Sequence, residues 1–172
     1  LEDPEHTEIS LNSCPVDSSS VRGWFVDEDI HTIPLPPLHP GENILTITVP
    51  IGLRTNLEAF YLLGDFGVRF NGTQKTVTAP VRSLGFGDIV SQGLPFYTGN
   101  LSYCLRIRTE GGCSLRVPRY RGGLIQVFVD GKETGNIIFS PYCLQIPDLS
   151  AGEHEVTLLL YGTRYNGFAQ LH

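Results

Sequence analysis

Hydrolysis of a glycosidic bond needs two carboxylates facing each other across it. The candidates in this sequence are Glu58, Asp65, Asp88, Glu110, Asp130 and Glu153. Most are accounted for without catalysis. Asp130 belongs to an Asp-Gly turn, Glu110 and Glu153 to glycine-containing loops, and Glu58 and Asp65 to the apolar stretch LEAFYLLGDFG, where paired structural carboxylates are expected. No nucleophile elbow, HExxH, phosphate-binding loop or dinucleotide fingerprint is present. The serine-rich run from Asp17 to Ser20 reads as a loop, not a nucleophile.

Sugar binding asks for less: an aromatic face for the apolar side of a pyranose ring, and planar polar groups for its hydroxyls. Loop-like segments supply such sets. They are Trp24; the group Pro95, Phe96, Tyr97 and Asn100; the group Arg119, Tyr120 and Arg121; and the group Arg164, Tyr165 and Asn166. The same rings also serve as plugs at the ends of a β-sandwich. In FVDEDIH, Asp27, Asp29 and His31 fall on one side of a strand and could collect calcium, although a solvated strand face has the same pattern. No other cofactor is expected, and without a Cys-x-x-Cys spacing neither is structural zinc.

The elements that must carry these residues are strands. Ile9 and Leu11 alternate with Glu8 and Ser10; Leu45, Ile47 and Val49 alternate with Ile44, Thr46 and Thr48; Leu105 and Ile107 alternate with Arg106 and Arg108. Asn71-Gly72 and Asp130-Gly131 each predict a type I′ hairpin turn. In YCLRIRTEGGCSLRVP a three-residue loop, Glu110 to Gly112, predicts a third hairpin with Ile107 opposite Leu115 and Leu105 opposite Val117. That register puts Arg106 opposite Arg116, and Cys104 and Cys113 on opposing faces, too badly aimed to bridge. The four cysteines, at 14, 104, 113 and 143, are therefore expected as free, mostly buried thiols, which leans towards a reducing, cytoplasmic setting. A short helix is expected only from Leu53 to Leu62.

The turn and strand LHPGENILTITV, Leu38 to Val49, returns as LSAGEHEVTLLL, Leu149 to Leu160. Upstream of them lie EISLNSCPV and IQVFVDGKET, so the repeat is a strand, a polar turn, a second strand, a proline-containing approach, a Gly-Glu turn and a return strand. With 19 glycines, 12 prolines and many short strands, the sequence reads as all-β, a jelly-roll sandwich of one or two related units, 1–80 and 81–172. Its net charge of −6 is spread out, its only lysines are Lys75 and Lys132, and no apolar run is long enough to cross a bilayer as a helix. Neither nucleic acid nor membrane is expected as a partner. The start at Leu1 and the lack of methionine lead us to expect a piece of a longer protein.

The segment GGLIQVFVDGKETGNIIFSPYCLQIPDLSAGEHEVTLLLYG resembles the galactose-binding-like jelly-roll domains of large glycoside hydrolases, with the match running from Gly123 to Gly162. Those domains share a strand, an Asn-Gly or Asp-Gly turn, a glycine shortly after, a proline-centred strand, then Gly-Glu-x and an apolar strand. The first copy is similar, with Ser13 where the turn glycine would stand. LEAFYLLGDFGV and VPRYRGG also resemble accessory sandwich regions of family 2 type glycosidases and related rhamnosidases or galactosidases. The resemblance implies a non-catalytic module that binds carbohydrate or buttresses the catalytic domain of the same parent protein. Against it stand a small hydrolase using Glu58, Asp65 or Asp88, and a protein interaction module.

Overall fold

The computed structural model describes residues 1–53, 55 and 60–168, in two units, Leu1–Gly64 and Asp65–His172. Half of the short helix expected from Leu53 to Leu62, Glu58 included, lies outside the described residues, and the described half is not helical. The division comes before the residue 80 expected from sequence, because the Asn71-Gly72 hairpin belongs to the second unit. There Val68 N donates to Gly93 O at 2.8 Å, and a Cβ at Gly67 would meet the side chain of Val81 at 3.2 Å.

In the first unit, β1 (Glu8–Leu11) pairs on one side with β2 (Cys14–Val16), while β3 (Trp24–Phe25) and β4 (Asp27–His31) form a separate pair. The other side of β1 is taken by β5 (Leu45–Thr48). The alternation in EISL is realised: Ile9 and Leu11 are buried, and Glu8 is exposed. Leu45 of β5 stays 40% exposed.

The second unit is an all-β sandwich. Its strands are β6 (Gly67–Asn71), β7 (Gln74–Thr78), β8 (Leu101–Thr109), β9 (Cys113–Arg116), β10 (Ile125–Val129), β11 (Lys132–Ile137), β12 (Cys143–Ile146) and β13 (Gly152–Leu160). One sheet runs in the order β11-β10-β13-β8, all antiparallel, and the pair β12-β9 packs on it. Between them lie the buried Ile125, Val127, Val129, Ile137, Ile146 and Val156. Gly135 of β11 makes this packing possible, since a Cβ there would lie 2.8 Å from Leu144 Cδ1 of β12.

The Asp130-Gly131 turn forms as expected, with φ of 51° and 77° and Val129 paired to Lys132. The other hairpin is displaced by one residue. Asn71 pairs with Gln74, so the central residues are Gly72 and Thr73, and Gly72 alone carries positive φ (60°), the pattern of a II′ turn.

The third expected hairpin is corrected. β8 does not pair with β9; it pairs along its nine residues with β13, from Leu101 opposite Leu160 to Thr109 opposite Gly152. The chain then crosses to the other sheet at Gly111 and Gly112, where an added Cβ on Gly112 would collide with the Pro147 backbone. Leu105, Ile107, Leu115 and Val117 do share one core, but across the gap between two sheets and not side by side in one. Charge favours the observed pairing: Arg106 lies opposite Glu155 and Arg108 opposite Glu153, in place of the repulsive Arg106–Arg116 pair.

The sequence repeat is a repeated three-strand unit. β2-β1-β5 and β11-β10-β13 have the same order, hairpin then return strand beside the first strand. Leu11 faces Leu45 as Val129 faces Val156. Asn12 Oδ1 accepts from Ile44 N (2.8 Å) as Asp130 Oδ1 accepts from Glu155 N (2.9 Å), so in both copies the turn side chain pins the entry to the return strand. Ser13 takes the place of Gly131 at φ 66°, a conformation that a side chain disfavours.

Candidate functional site

β8 and β13 are nine residues long, whereas β9 and β12, which cover their inner face, are four. The alternation of the long strands therefore continues beyond the cover. Leu101, Tyr103, Leu158 and Leu160, on the same face as the core residues, form the floor of a cleft of about 1060 Å³ closed only by loops. Such a volume lies just above the ~300–1,000 Å³ typical of small-molecule sites. Phe86 stacks on Tyr103, with centroids 5.2 Å apart and 20° between planes, and is itself 70% exposed.

One wall joins two loops distant in sequence. Tyr97 OH donates to Asn100 O (2.8 Å), Asn166 Nδ2 donates to Tyr97 O (3.2 Å), and Asn100 Oδ1 accepts from Gly162 N (3.2 Å). The loops can approach this closely because position 162 is glycine; a Cβ there would collide with the Gly99 carbonyl. Tyr165 stands at the end of this wall, 63% exposed, on the one-turn helix α1 (Tyr165–Phe168).

A further lining segment, Val117 to Arg121, is fixed through its tyrosine. Tyr120 OH reaches Ile137 O (3.1 Å) and Ile138 O (3.2 Å), and its ring meets Tyr142 edge-on at 5.1 Å. Burial pushes its phenol above the usual value, with Tyr142 adding to the effect, so it stays a neutral donor. Arg119 and Arg121, on either side of this anchor, line the cleft, and among the described residues neither guanidinium has a hydrogen-bonding or ion-pair partner.

Tyr97, Arg119, Tyr120, Arg121, Tyr165 and Asn166 are thus brought to one cleft. Asn100 holds the wall from behind, and Arg164 is exposed outside the lining. Trp24, 57% exposed on β3, belongs to the first unit. Pro95 is fully buried, a core plug, whereas Phe96 is 37% exposed and packs on Phe70 (5.5 Å), outside the cleft lining. Phe86 and Tyr103 were not singled out from sequence. Tyr103 carries a legible signal, the inward parity of Leu105 and Ile107, whereas GFGD around Phe86 has no periodicity at all.

Of the candidate carboxylates, Asp88 lines the cleft, and its Oδ1 accepts from Val90 N at 3.0 Å. Asp130 lies beyond the opposite end of β10, where its Oδ2 meets His154 Nδ1 at 2.7 Å. His154 Nε2 faces Ser150 O at 3.0 Å, so one ring nitrogen meets a carboxylate and the other a carbonyl; the fully satisfied state has both donating, as an imidazolium. Accordingly, the bond to Asp130 raises the His154 value, and the bonds from His154 and from Glu155 N lower that of Asp130. In the first unit the equivalent Asn12 Nδ2 lies 3.0 Å from His39 Nε2.

Among the described residues no three His, Cys, Asp or Glu side chains gather as a metal site. Asp27 Oδ1 accepts from Asp29 N, and His31 Nδ1 lies against Asp29 O. The cysteines are free, but not mostly buried as expected: Cys14 and Cys104 are exposed, Cys113 and Cys143 half-buried. Cys104 is exposed because the parity that turns Leu105 inward turns it outward.

No protein-family model matches the sequence, and no curated protein does. Among solved structures, a rhamnosidase from Novosphingobium sp. PP1Y is similar over 94% of this chain and 16% of its own, with 19% identity and a TM-score of 0.40. The chain thus spans a small part of that enzyme, and a likeness of this degree carries neither a family assignment nor an activity.

Proposed function

We propose that the chain is a non-catalytic carbohydrate-binding β-sandwich, a module of a larger glycoside hydrolase, and that glycan occupies the open end of the second unit. The observation that carries this reading is the convergence of Phe86, Tyr97 and Tyr165 with Arg119 and Arg121 on one cleft floored by apolar side chains. Exposed rings suit the apolar faces of sugars, and guanidinium forks suit their oxygens. The cleft volume of about 1060 Å³ favours a short oligosaccharide over a single ring. The resemblance of Gly123 to Gly162 to jelly-roll modules of glycoside hydrolases supports the attachment to a parent enzyme.

Hydrolysis within this cleft would need a second carboxylate facing Asp88, and Asp88 is the acidic residue among the described lining residues. The test is titration of the 172-residue chain with a panel of neutral and acidic mono- and oligosaccharides, followed by amide chemical shifts. Shifts should centre on Tyr97, Arg119, Arg121 and Tyr165, and Tyr165→Ala should weaken binding about tenfold, the worth of one good stacking contact. Shifts from no sugar in the panel would overturn the binding role. Turnover of chromogenic glycosides, abolished by Asp88→Asn, would replace it with a hydrolase.

A further inference from the structure

Several polar side-chain atoms around the cleft are already engaged by the protein itself. The Tyr97 hydroxyl, the Asn100 carboxamide oxygen and the Asn166 amide knit the wall, and the Tyr120 hydroxyl is held by two carbonyls. Asp88 has one oxygen occupied by Val90 N. The charged donors left to a ligand are Arg119 and Arg121, whose guanidiniums have no partner among the described residues.

Two arginines in a chain of net charge −6 are a local reversal of sign. They are held two positions apart by the anchored Tyr120, over an apolar floor that excludes water from one side of the cleft. A neutral sugar hydroxyl uses an arginine as an ordinary donor. A carboxylate uses it as a charge-matched fork, with two parallel bonds roughly twice as strong as neutral ones. Both arginines are exposed, so that preference is open to screening by salt.

Resting on the carbohydrate-binding reading, we infer that the ligand is an acidic glycan, and that Arg119 and Arg121 recognise the carboxylate of a hexuronate while Phe86 and Tyr165 take the apolar faces of its rings. Asp88, the acidic lining residue, then faces hydroxyls and not the carboxylate, which it would repel.

The experiment compares oligosaccharides of galacturonate, glucuronate and mannuronate with their methyl esters, which keep the ring and lose the charge, by calorimetry on the 172-residue chain. For at least one of them the acid should bind about tenfold more tightly than its ester, with the difference shrinking as salt is raised from 20 to 500 mM on the order of the Debye-length change. The double variant Arg119→Gln with Arg121→Gln should bring the acid-to-ester ratio close to one, with an unchanged thermal midpoint showing that it folds. Three results would overturn the inference while leaving carbohydrate binding in place: acid and ester bound equally, a neutral sugar bound and no uronate, or an acid preference that survives the double variant. Equal competition by acetate at the same concentration would overturn it as simple anion binding. Failure of every sugar, acidic and neutral, would overturn both readings together.

Discussion

Asp130 shows how one side chain can serve a turn, a strand and a charge at once. Its φ of 51° is one that Asn and Asp tolerate, its Oδ1 pins Glu155 N, and its Oδ2 binds His154. The sign of the pH dependence follows from the two shifts. The His154 value is raised, so its contribution is fully present below the ordinary 6.5 and is lost as pH rises through the raised value. That of Asp130 is lowered, so its contribution is present above 3.8 and is lost as pH falls through the lowered value. Both act together between 3.8 and 6.5. Asp130→Asn keeps the turn and the bond from Glu155 N, as Asn12 does in the first unit, and removes the charge. Its thermal midpoint should fall furthest below the wild type near pH 5 and approach it above the raised His154 value; a gap that is constant from pH 5 to 9 would refute the ion pair. The Asp-Gly turn itself was legible in the sequence, because positive φ at both central positions is a local demand. The partnership with His154 was not, since it depends on a return strand more than twenty residues away.

At the scale of elements, the repeat provides an internal comparison. The two hairpins share the pairing next to the turn and the turn conformation, although β10–β11 bulges between Val127 and Phe128, and one has Gly131 where the other has Ser13 at φ 66°. A non-glycine residue in this region costs about 1–2 kcal/mol, offset in part by the larger unfolded-state entropy of glycine, about 0.4–1 kcal/mol. Ser13→Gly should therefore stabilise the chain by roughly 0.5–1 kcal/mol, and Gly131→Ser should destabilise it by a similar amount. Chemical denaturation reads both, and a loss of stability in Ser13→Gly would mean that the Ser13 side chain makes a compensating contact. Strand positions and inward faces in this region were visible as period-2 alternation. Strand partners were not: the loop from Glu110 to Gly112 looks like a hairpin because glycine permits a tight reversal, yet glycine equally permits the crossing between sheets that occurs.

At the scale of the molecule, the second unit is held by a core in which Val127, Ile137 and Val156 are essentially inaccessible. Ile137→Ala should cost about 2–5 kcal/mol in urea unfolding, the range for a large-to-small change in a packed core. A cost below 1 kcal/mol would show a core able to collapse around the gap. The same core explains the cleft, because packing ends where β9 and β12 end and the longer β8 and β13 run on. By itself the sequence determined the all-β class, the Asp130-Gly131 turn, the repeated hairpin and return strand, and the residue types suited to sugars, because these follow from local backbone preference and side-chain alternation. Tertiary structure alone decided that β8 pairs with β13, that Phe86 joins Tyr103, that Trp24 belongs to the first unit, and that Arg119 and Arg121 line one cleft with Tyr97 and Tyr165. Those outcomes depend on which distant strands find each other and how far one sheet overhangs the next, and no local pattern carries that information.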